Sequence, residues 1–318
     1  MLAVSAGVHG AADGVLPVLK PPGVTSHDVV AFARRLLGTK RVGHTGTLDP
    51  GAAGVLVLCV GRATRLVELL QADDKEYRAE MVLGVSTDSH DAFGKIVSTC
   101  PEGTVAREKL DEVVARFAGE IEQIPPMTSA IRHRGRHLYE LARQGIEVPR
   151  PARRVRIGRL QVVRIEPDGP VLPAGTRVLL DIECSKGTYV RTLCHQLGQA
   201  LGVGAYMSFL LRTRCGMFGL EAARTMEELA QDAERGVLRL VTKEHVLRHL
   251  PALKLSAAGQ ARARHGQAVG PEHLAGPMPP RAAQGLVGLW EPGETVIAVA
   301  EAAESGGRVR WQPRIVLV

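Results

Sequence analysis

Apolar side chains recur along this chain with two different periods. After Ser26 they fall at Val29, Val30, Ala33, Leu36 and Leu37, the spacing of a helix with one buried face, with Ser26 read as its N-cap and Gly38 as its stop. The same spacing returns at Val190, Leu193, Cys194, Leu197 and Leu201, so another helix begins soon after Thr188. Thr225 and Glu228 form a capping-box pattern. Leu138, Leu141 and Ala142 predict a short helix closed by Gly145, and Pro149 and Pro151 keep it from resuming. Strand patterns lie between these. YRAEMVLG alternates Tyr77, Ala79, Met81 and Leu83 against Arg78 and Glu80, which places Tyr77 on a buried face. VLVLCV, from Val55, is apolar throughout, as in a strand covered on both sides.

Helices and strands mix without a repeat, which predicts an α+β fold. From about Pro251 the texture changes to short apolar runs (LVGLW, TVIAVA, RIVLV) split by Gly and Pro, with a hairpin signal at Ser305-Gly306-Gly307. A large domain over 14–250 and a small β-rich one over 251–318 are expected. Residues 1–13 lack the basic-then-apolar pattern of a signal peptide and read as a short flexible tail. No apolar run has the length of a membrane span, so no membrane partner is expected and the cytoplasm is the expected location.

Composition changes this picture in one respect. Lys plus Arg outnumber Asp plus Glu by 40 to 33, and the excess is concentrated. Between Arg132 and Arg159 lie nine arginines and two histidines against only Glu140 and Glu147. Arg132, Arg134, Arg136, Arg143, Arg153 and Arg154 are therefore candidate phosphate contacts, the alternative being a solvated charged face. The five cysteines are odd in number and never paired as C-x-x-C. They are expected to be reduced and buried, not a disulfide framework or a zinc site.

The densest chemical signal is RVGHTGTLDPGAAGVLVLCVGRATR. Its four glycines from Gly43 to Gly54 permit tight turns and close ligand approach, and Pro50 biases Asp49 away from helix. Asp49 is thus a carboxylate on a fixed loop. A phosphate-binding loop is the rival reading, but no Lys-Ser or Lys-Thr follows the glycines, and GVGAY at Gly202 lacks the last glycine of a dinucleotide fingerprint. In CSKGTYVRTLCHQLGQALG, Arg191 falls in the first turn of a helix, where the helix dipole disfavours a cation. Either it has an anionic partner, RNA phosphate or a carboxylate such as Asp49, which a guanidinium can grip in a two-pronged geometry, or it is an exposed arginine with no task. His245 and His249 lack the glutamate of a zincin and read as a surface pair, and Asp88, His90 and Asp91 before Gly94 read as a polar turn. Neither a metal nor a cofactor is expected.

GHTGTLDP, KEYRA, SKGTYVRTL and IPPMTSAIRHRGRHLYELARQGIEVPR together resemble the bacterial tRNA pseudouridine-55 synthases, the TruB family. The likeness runs from about Val15 to Leu229, and more weakly the tail after Pro251 resembles a PUA domain, an RNA-binding fold. The resemblance implies a mixed β-sheet catalytic core, an Arg-rich RNA-binding insertion over about 126–154, and no cofactor. It implies as substrate the uridine at position 55 in the T-arm stem-loop of tRNA, with no obligate protein partner. It also implies roles: Asp49 as catalytic aspartate, Arg191 as the arginine paired with it, and Tyr77 as the tyrosine that stacks on the target base. His44 matches the histidine that fills the space the base leaves, Tyr189 and Leu210 match pocket residues, and Lys20 matches a lysine near the site. Leu19 and Thr128 depart from the family, which commonly has an aspartate and an aromatic residue there. Whether such an Asp49 acts as nucleophile or base is open. A tRNA-binding folding factor without catalysis is the alternative of a different class, and an RNA-guided relative of the same family is a third.

Overall fold

The computed structural model describes residues 13–305 and 308–318. The expected tail, apart from Asp13, and the Gly306-Gly307 turn lie outside these residues. The strands that lead into that turn pair antiparallel up to Ser305 and Arg308.

A mixed nine-stranded sheet organises the larger part of the chain. Its main path runs Gly14–Lys20, Ala53–Val60, Ala205–Cys215, Lys75–Leu83, Arg177–Cys184, Arg153–Glu166 and Gly119–Gln123. Neighbours are antiparallel except Ala53–Val60 and Ala205–Cys215, which run parallel beside Gly54 and Arg212. The all-apolar run after Gly54 forms the strand covered on both faces that its composition predicts. Leu56, Leu58 and Val60 enter one core cluster, and Val55, Val57 and Cys59 enter another. Ala79, Met81 and Leu83 are fully buried as the alternation predicts, while Tyr77 packs on the same core but keeps part of its surface exposed.

The helices fall where the spacing places them: Ser26–Leu36, Leu138–Arg143, Val190–Leu201 and Met226–Glu234. Gly38 and Gly145 take positive φ after the first two. The Thr225–Glu228 capping box forms, but the N-cap expected at Ser26 is instead Thr25, in a capping box with Asp28. Ser26 is the first helical residue, and its hydroxyl both donates to Leu48 O (3.0 Å) and accepts from Leu48 N (2.9 Å). One residue of register thus turns an expected cap into an anchor for the loop that carries Asp49.

The last part of the chain forms a four-stranded sheet, Ala252–Lys254, Leu286–Trp290, Val296–Ser305 and Arg308–Val316, with the helix Ala257–Arg264 beside it. Its Val296, Val299 and Leu317 join Val15, Val55 and Val57 in one core, so the two sheets share buried apolar surface. All five cysteines are free. Four are buried, but Cys100 is half-buried, contrary to expectation. Burial pushes the thiols of Cys59, Cys184 and Cys194 up to about 12, which leaves them inert as nucleophiles. His245, expected at the surface, is buried. No helix among the described residues is long and apolar enough to cross a membrane.

Candidate active site

A cleft of about 1800 Å³ opens on one side of the main sheet, lined by Asp49, His44, Arg191 and Leu210 together with residues of the insertion. Asp49 sits in the turn between Val42–His44 and Ala53–Val60. Ala52 N donates to Asp49 O (3.0 Å), closing a four-residue turn. Two buried polar side chains hold it. Ser26 clamps Leu48 on one side, and on the other Lys20 donates from Nζ to Pro21 O (2.8 Å), Pro50 O (3.2 Å) and Ala52 O (2.7 Å). Lys20 has no exposed surface and its three donors are spent, so its place is under the loop; it does not line the cleft as a substrate contact would. Gly54 has φ +120°, and a Cβ there would stand 2.2 Å from Arg212 O, so only glycine lets the two parallel strands approach.

Arg191 lies in the first turn of Val190–Leu201 and is almost fully buried. It meets Asp49, as expected, but not through a two-pronged fork. Nε stands 3.2 Å from Asp49 Oδ2, without its N–H aimed at that oxygen. The remaining nitrogens turn elsewhere: Nη1 to Asp91 Oδ2 (3.5 Å), Ser89 O (3.3 Å) and the Thr128 hydroxyl, and Nη2 to Thr128 O (3.1 Å). A guanidinium between two carboxylates answers the electrostatic objection to a cation at a helix N-terminus. Asp49 keeps 38% of its side-chain exposure toward the cleft. Burial pushes its pKa up, Arg191 pulls it down, Asp91 pushes it up and Lys20 pulls it down.

Asp91 comes from the segment read as a polar turn. It is one: Asp91 Oδ1 accepts from Ser89 Oγ (2.6 Å) and Phe93 N (3.0 Å). The isolated bridge between Asp91 and Met207 brings that turn to the cleft, and no local pattern signals this. Arg212 is likewise a residue that no sequence pattern singles out. It is buried, donates from Nε to Val55 O (2.7 Å) and from Nη2 to Gly46 O (3.1 Å), and lies beside the Tyr77 hydroxyl. Burial pushes that hydroxyl up to about 12.

His44 Nδ1 accepts from Gly46 N (3.2 Å), and burial lowers its pKa, keeping the ring neutral. Leu210 is buried at the cleft wall. Tyr189 caps the helix of Arg191. Its backbone N and O bond Gln123, and Arg191 Cζ stands 6.0 Å from its ring centroid. Tyr77 and Tyr189 lie outside the cleft lining. A stacked pair of neutral imidazoles, His90 and His195 (centroids 3.9 Å apart), completes one wall; His90 is lowered to about 4, chiefly by burial.

The arginine-rich insertion adds a hairpin that the spacing does not predict, Arg132–His133 with Arg136–His137, turned by Arg134 and Gly135 at positive φ. Arg132, Arg134, Arg136, Arg143, Arg153 and Arg154 are all exposed. Among the described residues only Arg154 of these six has a carboxylate partner, Glu122 at 3.9 Å. Arg136 donates to Gln144, and Arg143 lies over the Tyr139 ring. Helix Leu138–Arg143 forms as predicted, with Leu138 and Leu141 buried.

Comparison with known proteins gives a consistent result. Residues 34–190 match the model of the TruB family pseudouridylate synthase N-terminal domain, and residues 191–249 match that of the tRNA pseudouridylate synthase B C-terminal domain. The tRNA pseudouridine synthase B of Symbiobacterium thermophilum is 53% identical over 256 residues, 80% of this chain and 83% of that protein. The protein of the same name from Moorella thermoacetica is 52% identical, covering 76% and 78%. In three dimensions the chain is similar to a chain of a Cbf5-Nop10-Gar1 complex, with TM-score 0.71 and 28% identity over 99% of this chain and 90% of that one. It is also similar to a chain of an H/ACA RNP bound to a substrate RNA containing 2'-deoxyuridine, with TM-score 0.70 and 25% identity over 100% and 95%. This chain belongs to the TruB family of pseudouridylate synthases.

Proposed function

We propose that this protein isomerises uridine to pseudouridine in tRNA, at position 55 of the T-arm loop, with Asp49 as the catalytic carboxylate. The observation that carries the reading is the Asp49 carboxylate lining a large cleft, 3.2 Å from a buried guanidinium, in a chain whose insertion exposes Arg132, Arg134, Arg136 and Arg143. Relatives about half identical and named tRNA pseudouridine synthase B support tRNA as the substrate.

A uridine stacked in a loop must leave the stack before its glycosidic bond can be reached, at a cost on the order of a few kcal/mol. Phosphate contacts from the insertion offset that cost, His44 fills the vacated place, and Leu210 lines the pocket for the base, while Tyr77 and Tyr189, outside the cleft lining here, reach the base only once it has entered. The N1–C1′ bond then breaks, the uracil turns, C5 joins C1′, a proton leaves C5 and one is taken up at N1. No water is consumed and no electron changes hands. Burial raises the Asp49 pKa, and Arg191 and Lys20 oppose that rise, favouring the ionised form that either a nucleophile or a base toward the sugar requires. Tyr77 or a nearby water accepts the proton that leaves C5. The four-stranded C-terminal sheet adds RNA contacts, and the chain acts unaided by guide RNA or protein partner.

Asp49→Asn tests this on three measurements from one sample. Purified wild-type protein alone is expected to form pseudouridine at position 55 of a tRNA transcript. The variant is expected to form none in a single turnover while keeping its melting temperature and tRNA affinity, because a neutral amide of the same shape is neither a nucleophile nor a base. Substantial single-turnover conversion by the variant would sink the assignment of Asp49. Silence of the wild-type protein would sink the reading as a whole, and unchanged tRNA binding with no wild-type conversion would favour a folding factor.

A further inference from the structure

We propose that Thr128, at the root of the arginine-rich insertion, is a positioning residue for Arg191, and that through it the alignment of Asp49 depends on how the insertion sits. The inference rests on the reading of Asp49 as the catalytic carboxylate. The partners of the Arg191 guanidinium other than Asp49 come from two places. Ser89 and Asp91 belong to a turn held by its own hydrogen bonds. Thr128 supplies the rest, its hydroxyl accepting from Nη1 and its carbonyl from Nη2 (3.1 Å). The insertion thus takes part in fixing a side chain with almost no exposed surface of its own.

The link continues outward through the backbone. Ser129 N donates to Pro126 O (3.2 Å), Tyr139 N to Ser129 O (3.2 Å) and Leu138 N to Ile131 O (2.8 Å). These bonds tie the segment that carries Thr128 to helix Leu138–Arg143 and to the hairpin of Arg132, Arg134 and Arg136. Phosphates gripped by those arginines therefore load a segment that ends on Arg191. Chemistry also explains the residue type. A side chain without a γ oxygen would keep the carbonyl but offer the guanidinium one acceptor fewer. In this chain the γ hydroxyl gives the guanidinium a third neutral acceptor beside Ser89 O and Thr128 O, and Arg191 is left with Nε toward Asp49.

Thr128→Val removes the hydroxyl at constant shape, and Thr128→Ser keeps it. With the Val variant, single-turnover pseudouridine formation should fall about tenfold or more, as expected for losing a hydrogen bond to a charged group. Affinity for tRNA should stay within about threefold of wild type, a change well under 1 kcal/mol. The acid limb of the rate should move to higher pH, because Arg191 lowers the Asp49 pKa and a looser Arg191 lowers it less; a purely structural role would not move that limb. The Ser variant should restore both rate and limb. Should the Val variant melt below the assay temperature, Thr128→Ala is judged by the same readings. Wild-type rate and limb in the variant lacking the hydroxyl, or a Ser variant as impaired as it, would overturn the proposal. A wild-type protein that forms no pseudouridine would instead fail the functional reading beneath it.

Discussion

Arg191 holds together the groups that matter most in the cleft. It touches Asp49 through one nitrogen and spends the others on Asp91, Ser89 and Thr128, so its value lies in reaching several oxygens from one rigid plane. An ammonium has three donors around a point and cannot span that set. Arg191→Lys is accordingly expected to lower single-turnover conversion by about a hundredfold, the scale of losing an electrostatic contact in a preorganised site. Binding of tRNA should change little, since the exposed arginines remain. Rapid-quench kinetics beside a binding titration checks this, and a variant with near-normal turnover would show that one charge near Asp49 suffices. Asp49 and Arg191 are both legible in the sequence, each from a local oddity: a carboxylate fixed among glycines, and a cation where a helix dipole disfavours one. Asp91 is not, because its own neighbourhood explains it fully as a turn, and the bridge to Met207 that brings it to the cleft joins residues far apart in the chain.

The insertion presents Arg132, Arg134, Arg136 and Arg143 on a hairpin and a short helix that bury little of themselves beyond Leu138 and Leu141, whereas Arg153 and Arg154 lie on the main-sheet strand Arg153–Glu166. Five of the six singled-out arginines have no carboxylate partner among the described residues, so little internal neutralisation must be undone before they meet phosphate. Replacing Arg132, Arg134 and Arg136 together by alanine should reduce the slope of log affinity against log salt by about two to three units, roughly 0.7 to 0.9 for each phosphate left unneutralised. Fluorescence binding over a salt series measures it. An unchanged slope would mean that the hairpin is a solvated face and that RNA docks elsewhere. Composition alone locates this element, and spacing finds its helix. The hairpin escapes because its strands are two residues long and its Arg134-Gly135 turn lies within an uninterrupted polar run, where no alternation marks a strand.

The C-terminal sheet does not stand apart as its change in texture suggests. Val296, Val299 and Leu317 pack with Val15, Val55 and Val57, and Lys243 Nζ donates to Leu317 O (2.9 Å) from the far side of the expected boundary. Burying an apolar side chain contributes about 1.5–3 kcal/mol, so removing residues 251–318 should expose several such groups. It should lower the melting temperature by on the order of 10 °C or cause aggregation. Calorimetry of the full chain should show one transition. Two separated transitions, with the shortened protein melting where the full chain's first one lies, would establish independent domains.

The chain's own order of residues determined the periods, hence the helices Ser26–Leu36 and Val190–Leu201, the strand Ala53–Val60, the loop that carries Asp49 and the arginine-rich segment. These depend on neighbours within a turn or two, where spacing, glycine and proline act directly. Tertiary structure alone decided that Ser26 and Lys20 clamp the Asp49 loop, that Arg191 shares itself between Asp49 and Asp91, and that Thr128 reaches Arg191 from the insertion. Each joins segments tens of residues apart, through buried polar groups whose partners are chosen by packing of the sheet. A polar residue declares in sequence that it will need a partner when buried, but only the fold says which one.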